Sequence, residues 1–197
     1  MRVISGRLRS RRLHAPRGEG TRPTHDRVKE ALFSMLGDIS GYTVADLYAG
    51  TGALGIEALS RGARHACFVE RNRIALECLR RNVHDLALVE LCTIIARDLQ
   101  TAQPDLLRLA PIDLAFCDPP WPQMDDAIAL LSKLQPIRWL GPEGLLVLEH
   151  PARFEPPARA VSGLEKTAQR RWGDTAVSIF QTAANGDANH RDVTVSR

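Results

Sequence analysis

The chain is predicted to be an α/β protein built on a mostly parallel sheet that is covered on both faces and ends in an antiparallel hairpin. Two observations carry this. Five short apolar runs, 43–48, 66–70, 89–96, 112–117 and 145–149, alternate with amphipathic stretches at 54–61, 74–86, 99–109 and 125–134, and such alternation implies β-α-β units. The pattern then breaks: 160–172 and 175–182 read as two strands joined by Gly173-Asp174, a turn pair suited to a hairpin.

The elements before the first run are of another kind. Residues 2–14 place Val3, Ile4, Leu8 and Leu13 around Gly6 as a candidate short hairpin, and Pro16, Gly18, Gly20 and Pro23 mark a loop. Thr24 is a candidate N-cap for a helix whose Val28, Ala31, Leu32, Met35 and Leu36 recur at helical spacing until Gly37. The division expected is 1–40 as a basic extension, 41–182 as the main domain and 183–197 as a tail without a core-facing stripe. At 197 residues and 44% apolar content, one substantial core is within reach.

Charge is divided unevenly. Residues 1–30 hold nine bases (Arg2, Arg7, Arg9, Arg11, Arg12, Arg17, Arg22, Arg27 and Lys29) against Glu19, Asp26 and Glu30, which leaves 17 bases and 20 acids for the rest. The net charge of +3 therefore conceals a basic arm and a slightly acidic body, and the arm points to a polyanionic partner. Cys67, Cys78, Cys92 and Cys117 lack the paired spacing of a metal or dithiol site. They read as small buried hydrophobes of a reduced, cytoplasmic protein. No metal is expected, no run has the length of a membrane span, and a monomer is the favoured state.

Ligands of open parallel sheets sit at the strand carboxyl ends, so the last residues of each run deserve weight. The first run passes through Asp46-Leu47-Tyr48-Ala49-Gly50-Thr51-Gly52 directly into a helix. The glycines permit a tight turn and close backbone approach at a helix N-terminus. An acid four residues before the first glycine suits a ligand with a free ammonium group. Glu70 ends the second run, at the position where an acid accepts bonds from ribose hydroxyls, and Asp98 ends the third, where it could meet an adenine amine. The fourth leads into Asp118-Pro119-Pro120-Trp121. Two prolines fix the backbone as a rigid extended turn without donors, leaving carbonyls and a carboxylate beside a flat indole. That set suits an exocyclic amine on a planar base.

Together these residues resemble the S-adenosylmethionine-dependent class I amino methyltransferases. More narrowly, Arg2-Val3-Ile4-Ser5-Gly6, the stretch from Arg22-Pro23-Thr24-His25-Asp26-Arg27 to Phe33, and Gly52-Ala53-Leu54-Gly55 to Arg61 resemble the bacterial RsmD family over roughly residues 1–182. That family commonly carries an aromatic where Leu8 stands, Phe or Tyr at Trp121 and a second Thr at His25. The resemblance implies a Rossmann-like, seven-stranded sheet with a terminal antiparallel hairpin, and methylation of N2 of a guanine in small-subunit (16S) ribosomal RNA. It implies S-adenosylmethionine on Asp46, Tyr48, Ala49, Gly50, Thr51, Gly52, Glu70, Arg71 and Asp98. Catalysis falls to Asp118, Pro119, Pro120 and Trp121, with the guanine stacked on Trp121, and RNA contact to Arg7, Arg9, Arg11, Arg12, Arg22, Thr24 and Arg27. The substrate implied is ribosomal RNA or an assembling small subunit. The competing readings are a DNA adenine-N6 methyltransferase, a protein-amide methyltransferase, and a nucleic-acid-binding module without turnover.

Overall fold

The structure, a computed structural model, describes residues 1–16 and 23–182, with the backbone alone for 23–25. Its sheet has seven strands in the order β3-β2-β1-β4-β5-β7-β6. β1 (Thr43–Asp46), β2 (His65–Val69), β3 (Cys92–Ile95), β4 (Ile112–Cys117) and β5 (Leu140–Pro151) are mutually parallel. β6 (Leu164–Trp172) and β7 (Thr175–Thr182) form the expected hairpin, and β7 lies antiparallel to β5. The strand order reverses between β1 and β4, which opens a crevice at their carboxyl ends.

Alternation along the central strands fills two cores. Val44, Phe68, Leu114, Phe116, Val147 and Val177 point to one face. They meet α1 (Pro23–Leu36), α2 (Ala53–Ser60) and α3 (Arg73–Asp85) through Leu32, Phe33, Ile56, Leu59, Leu76 and Leu79. Ala45, Cys67, Ala115, Cys117, Leu146 and Leu148 point to the other. There α4 (Gln103–Leu109) and α5 (Met124–Lys133) cover them through Leu106, Met124 and Leu131. Cys67 and Cys117 are buried and Cys78 and Cys92 half-buried, all as free thiols. Among the described residues no helix is long and apolar enough to cross a membrane.

Several boundaries differ from the expectation. Residues Val89–Leu91 form a 3-10 turn, so β3 begins only at Cys92. β5 begins at Leu140, five residues early, and β6 at Leu164, after a turn that carries Gly163 at φ +80°. α1 starts at Pro23, whose ring suits a first helical turn, so Thr24 lies inside the helix and not at its cap.

Residues 2–14 fold back on themselves as a short, irregular hairpin: the Val3 amide donates to the Arg11 carbonyl at 2.9 Å, the Ser10 amide to the Val3 carbonyl at 2.9 Å and the Leu13 amide to the Met1 carbonyl at 3.1 Å. A single antiparallel bridge joins Arg2 and Arg12. Other donors of the segment go to α2: the Ile4 and Ser5 amides donate to the Glu57 carboxylate at 2.7 and 2.9 Å, the Arg7 amide to the Ser60 carbonyl at 2.8 Å, and the Leu8 amide to Ser60 Oγ at 2.9 Å. Gly6 passes so close that a Cβ there would stand 1.8 Å from the Ser60 oxygen, and at φ +78°. Val3, Leu8 and Leu13 are buried in the first core. The segment is thus part of the body's packing, clamped to the helix that follows the glycine turn. Residues 17–22, with Arg22, and the tail 183–197 lie outside the described residues.

Candidate active site

β1 ends at Asp46, and the chain turns through Gly50 at φ +53° and Gly52 at φ +83° before α2 begins at Ala53. These glycines serve different ends. A Cβ on Gly52 would stand 2.4 Å from Leu79 Cδ1, so this residue lets α3 pack under the turn. Above Gly50 a Cβ would meet nothing within 4 Å, so its backbone lies open to a ligand, and its amide donates to Glu70 Oε2 at 2.7 Å.

The strand-end acids converge as the sequence predicts, each with a local anchor. Glu70 Oε1 accepts from the Arg71 and Asn72 amides at 2.7 and 2.6 Å. Asp98 Oδ1 accepts from the Gln100 amide at 2.9 Å while Oδ2 pairs with Arg71 at 2.6 Å. These contacts hold the Asp98 carboxyl below its usual range, the Gln100 amide contributing most. Asp46 Oδ2 accepts from the Gly55 amide at 3.1 Å. Its 2% exposure costs it solvation, which pushes the carboxyl up to about 7, with Asp118 and Glu70 adding repulsion.

A cleft of about 1210 Å³ runs along these ends. Tyr48, Gly50, Thr51, Glu70, Arg71 and Asp98 line one part, and Asp118, Pro119, Pro120 and Trp121 another. Asp46, Ala49 and Gly52 are not in its wall; Asp46 and Gly52 support the turn from beneath. Trp121 opens a 3-10 turn, Trp121–Gln123, and is 42% exposed. Trp139, by contrast, is fully buried, with its indole N–H donating to the Leu134 carbonyl at 2.9 Å. The chain's exposed indole therefore stands at the cleft.

Asp118 opens onto the cleft, yet the protein around the strand end disfavours its charge and raises its carboxyl to about 6. Beside it is an acid that the strand-end reading did not single out. β4 and β5 run in register to Cys117 and Leu148, so Asp118 and Glu149 come side by side one step further on. Both fall on the face of Phe116 and Val147, as do Asp46 and Glu70. Burial and the neighbouring Asp118 push the Glu149 carboxyl up to about 8. The signal for Glu149 was present at the end of the fifth apolar run, but no glycine turn or proline pair follows it.

The basic residues divide. Arg7, Arg9, Arg11, Arg12 and Arg27 are exposed, and Arg11 donates to the Asp85 carbonyl at 3.3 Å. Arg2, Arg12 and Arg27 share a second cleft, of about 690 Å³, with Asp26 and Glu30. The Thr24 side chain and Arg22 lie outside the described residues. Leu8 is buried in the core, so position 8 offers its side chain to no partner. Among the described residues, no three His, Cys, Asp or Glu side chains come together as metal ligands.

The profile of the family described as Conserved hypothetical protein 95 matches residues 1–181. The chain belongs to this family. Its relatives include Escherichia coli "Ribosomal RNA small subunit methyltransferase D", 32% identical over 200 residues covering 96% of this chain and 93% of that protein. A second, Bacillus subtilis "Putative rRNA methyltransferase YlbH", is 37% identical over 183 residues, 92% of this chain and 98% of the relative. A solved Escherichia coli structure described as a methyltransferase candidate superposes with a TM-score of 0.75 at 31% identity, over 93% of this chain and 98% of the other. The family match thus spans the clamped N-terminal segment and the terminal hairpin alike.

Proposed function

We propose that the chain is a ribosomal RNA methyltransferase that uses S-adenosylmethionine to methylate the N2 amine of one guanine in the small-subunit RNA. The observation that carries this is the Asp118-Pro119-Pro120-Trp121 turn, facing the open Gly50 backbone across a single cleft. The names of the E. coli and B. subtilis relatives support the substrate class. In this reading residues 41–182 form the catalytic domain and 1–40 the RNA-binding extension.

The residues present fit the cofactor. Gly50, Thr51 and Tyr48 offer backbone and side chain in the wall, Glu70 has the position of a ribose acceptor, and Asp98 with Arg71 closes the far end. Asp46 acts from below, through the turn it anchors. When bound, S-adenosylmethionine supplies an electrophilic methyl group on a sulfonium. The chain's part is to hold the amine. The Asp118 carboxylate and the Pro119 carbonyl accept its N–H bonds, and Trp121 takes the flat base on its exposed face. The N2 lone pair of guanine is delocalised into the ring; acceptors fixed at the strand end favour the pyramidal nitrogen and the positive charge that develop in the transition state. Positioning accounts for much of the rate.

The test is Asp118→Ala. Methyl transfer from labelled cofactor to subunits of a strain lacking the enzyme should fall at least about 100-fold, the scale of one lost transition-state contact, while calorimetry should show cofactor affinity within a few fold of wild type. A loss of cofactor affinity instead would return Asp118 to the cofactor or to folding. Nucleoside analysis of the product decides the base, and label in N6-methyladenosine would overturn the guanine reading.

A further inference from the structure

The acids on this sheet face differ in what their oxygens already hold. Glu70 accepts from three backbone amides, Asp98 from one amide and the Arg71 guanidinium, and Asp46 from the Gly55 amide. Asp118 and Glu149 have no hydrogen bond and no ion pair with any described residue; burial and, for Glu149, its carboxylate neighbour are what act on them. Asp118 is exposed in the cleft wall, and Glu149 stands half-buried just behind it. Across β5 on the other side of Glu149 stands Val177, an apolar neighbour that offers no donor. Two adjacent carboxyls without protein donors keep acceptor capacity for a ligand, and a donor-rich ligand edge would use it.

A guanine presents such an edge. Its N2 amine and its N1–H are neighbouring donors in one plane, and the backbones that carry the two carboxyls run about one strand spacing apart, roughly 4.8 Å. We propose that Glu149 is a specificity-determining residue that accepts the N1–H of the guanine whose N2 amine Asp118 holds. The inference rests on the guanine-N2 reading above and adds the means by which the site tells guanine from other bases with an amine. Adenine and 2,6-diaminopurine carry an acceptor at N1, which the ionised Glu149 carboxylate, the form that prevails above about pH 8, meets with repulsion and leaves unpaired. Asp118 alone cannot make this distinction, since an amine offers it the same donors in every case.

The experiment, run just above pH 8 where Glu149 is ionised, uses full-length protein and labelled S-adenosylmethionine, with small subunits reconstituted from RNA bearing either guanine or 2,6-diaminopurine at the methylated position. Nucleoside analysis of the guanine substrate comes first: label outside N2-methylguanosine removes the parent reading and this inference with it. With label at N2, wild-type protein should prefer guanine over diaminopurine by about 10- to 100-fold in kcat/KM, the discrimination usual for paired contacts to a base edge. Glu149→Gln, whose amide can accept from N1–H or donate to a bare N1, should shrink that preference at least about tenfold. Glu149→Ala should slow both substrates. A wild-type preference under about threefold overturns the inference whatever the variants do. So does a Glu149→Gln protein that is slowed equally on both bases, because that is the behaviour of a residue acting only through Asp118.

Discussion

Asp46 carries a carboxyl that its surroundings disfavour as a charge. Its folded value near 7 stands above the ordinary 3.8, so the unfolded chain loses this proton at lower pH than the folded one. For an acid shifted upward the penalty is absent below about pH 4, grows as pH rises, and is complete above about 7. Asp46→Asn keeps an oxygen for the Gly55 amide and removes the charge. Its stability relative to wild type, from urea denaturation, should therefore improve between pH 4 and pH 8, by roughly 2–4 kcal/mol for a shift of this size. An advantage that stays flat with pH would mean that Asp46 is ionised in the fold. At this scale the sequence was legible where an acid came with a second feature. Glycines marked Asp46, prolines marked Asp118, and spacing from the first turn marked Glu70. Glu149 had only its place at a strand end, and its neighbour in space lies 31 positions earlier in the chain. Pairing between strands, which local spacing does not encode, gives it meaning.

At the scale of elements, Glu57 decides how the N-terminal segment lies. It is fully buried in α2, pairs with Lys29 at 3.4 Å and Arg61 at 2.9 Å, and accepts the Ile4 and Ser5 amides. Desolvation dominates the lowering of the Lys29 ammonium's pKa, and Glu57 is the chief opposing influence. Removing one partner of such a buried set strands the other. Glu57→Ala should cost about 3–5 kcal/mol and expose the segment before Pro16 to limited proteolysis; a stable, protease-resistant variant would show that the apolar anchors Val3, Leu8 and Leu13 suffice. The apolar spacing that suggested a hairpin in 2–14 located the buried residues correctly. It did not show the second partner, because an acid in the interior of a helix, 53 residues away from Ile4, satisfies amides that the short hairpin leaves open. The parallel strands and the terminal hairpin were legible because period-two and helical patterns alternate cleanly there. Boundaries at β3, β5 and β6 shifted where turns carry apolar residues.

At the scale of the molecule, the charge division read from the sequence becomes a direction. Arg9, Arg11 and Arg12 are exposed on a segment whose end, Pro16, lines the principal cleft, and Arg12 and Arg27 lie in the second. Because that segment is clamped and not tethered, its bases sit at fixed positions relative to the cleft. Each phosphate neutralised adds about one unit to the salt dependence of binding. An Arg9/Arg11/Arg12→Ala triple variant should therefore lower the slope of log affinity against log salt by about two to three units, read from filter binding of ribosomal RNA across a salt series; an unchanged slope would place the RNA contact elsewhere.

The terminal hairpin has a consequence for how copies of the chain meet. β6 lies at the outer margin of the sheet, where unpaired backbone groups could recruit a strand from another molecule. Its sequence resists this, with Glu165, Arg170 and Arg171 exposed, Lys166 engaged with Glu155, and a register shift between Lys166 and Ala168. At the opposite margin β3 is only four residues long. The sheet thus guards both rims against an added strand from another molecule, one by charge and irregularity, the other by brevity.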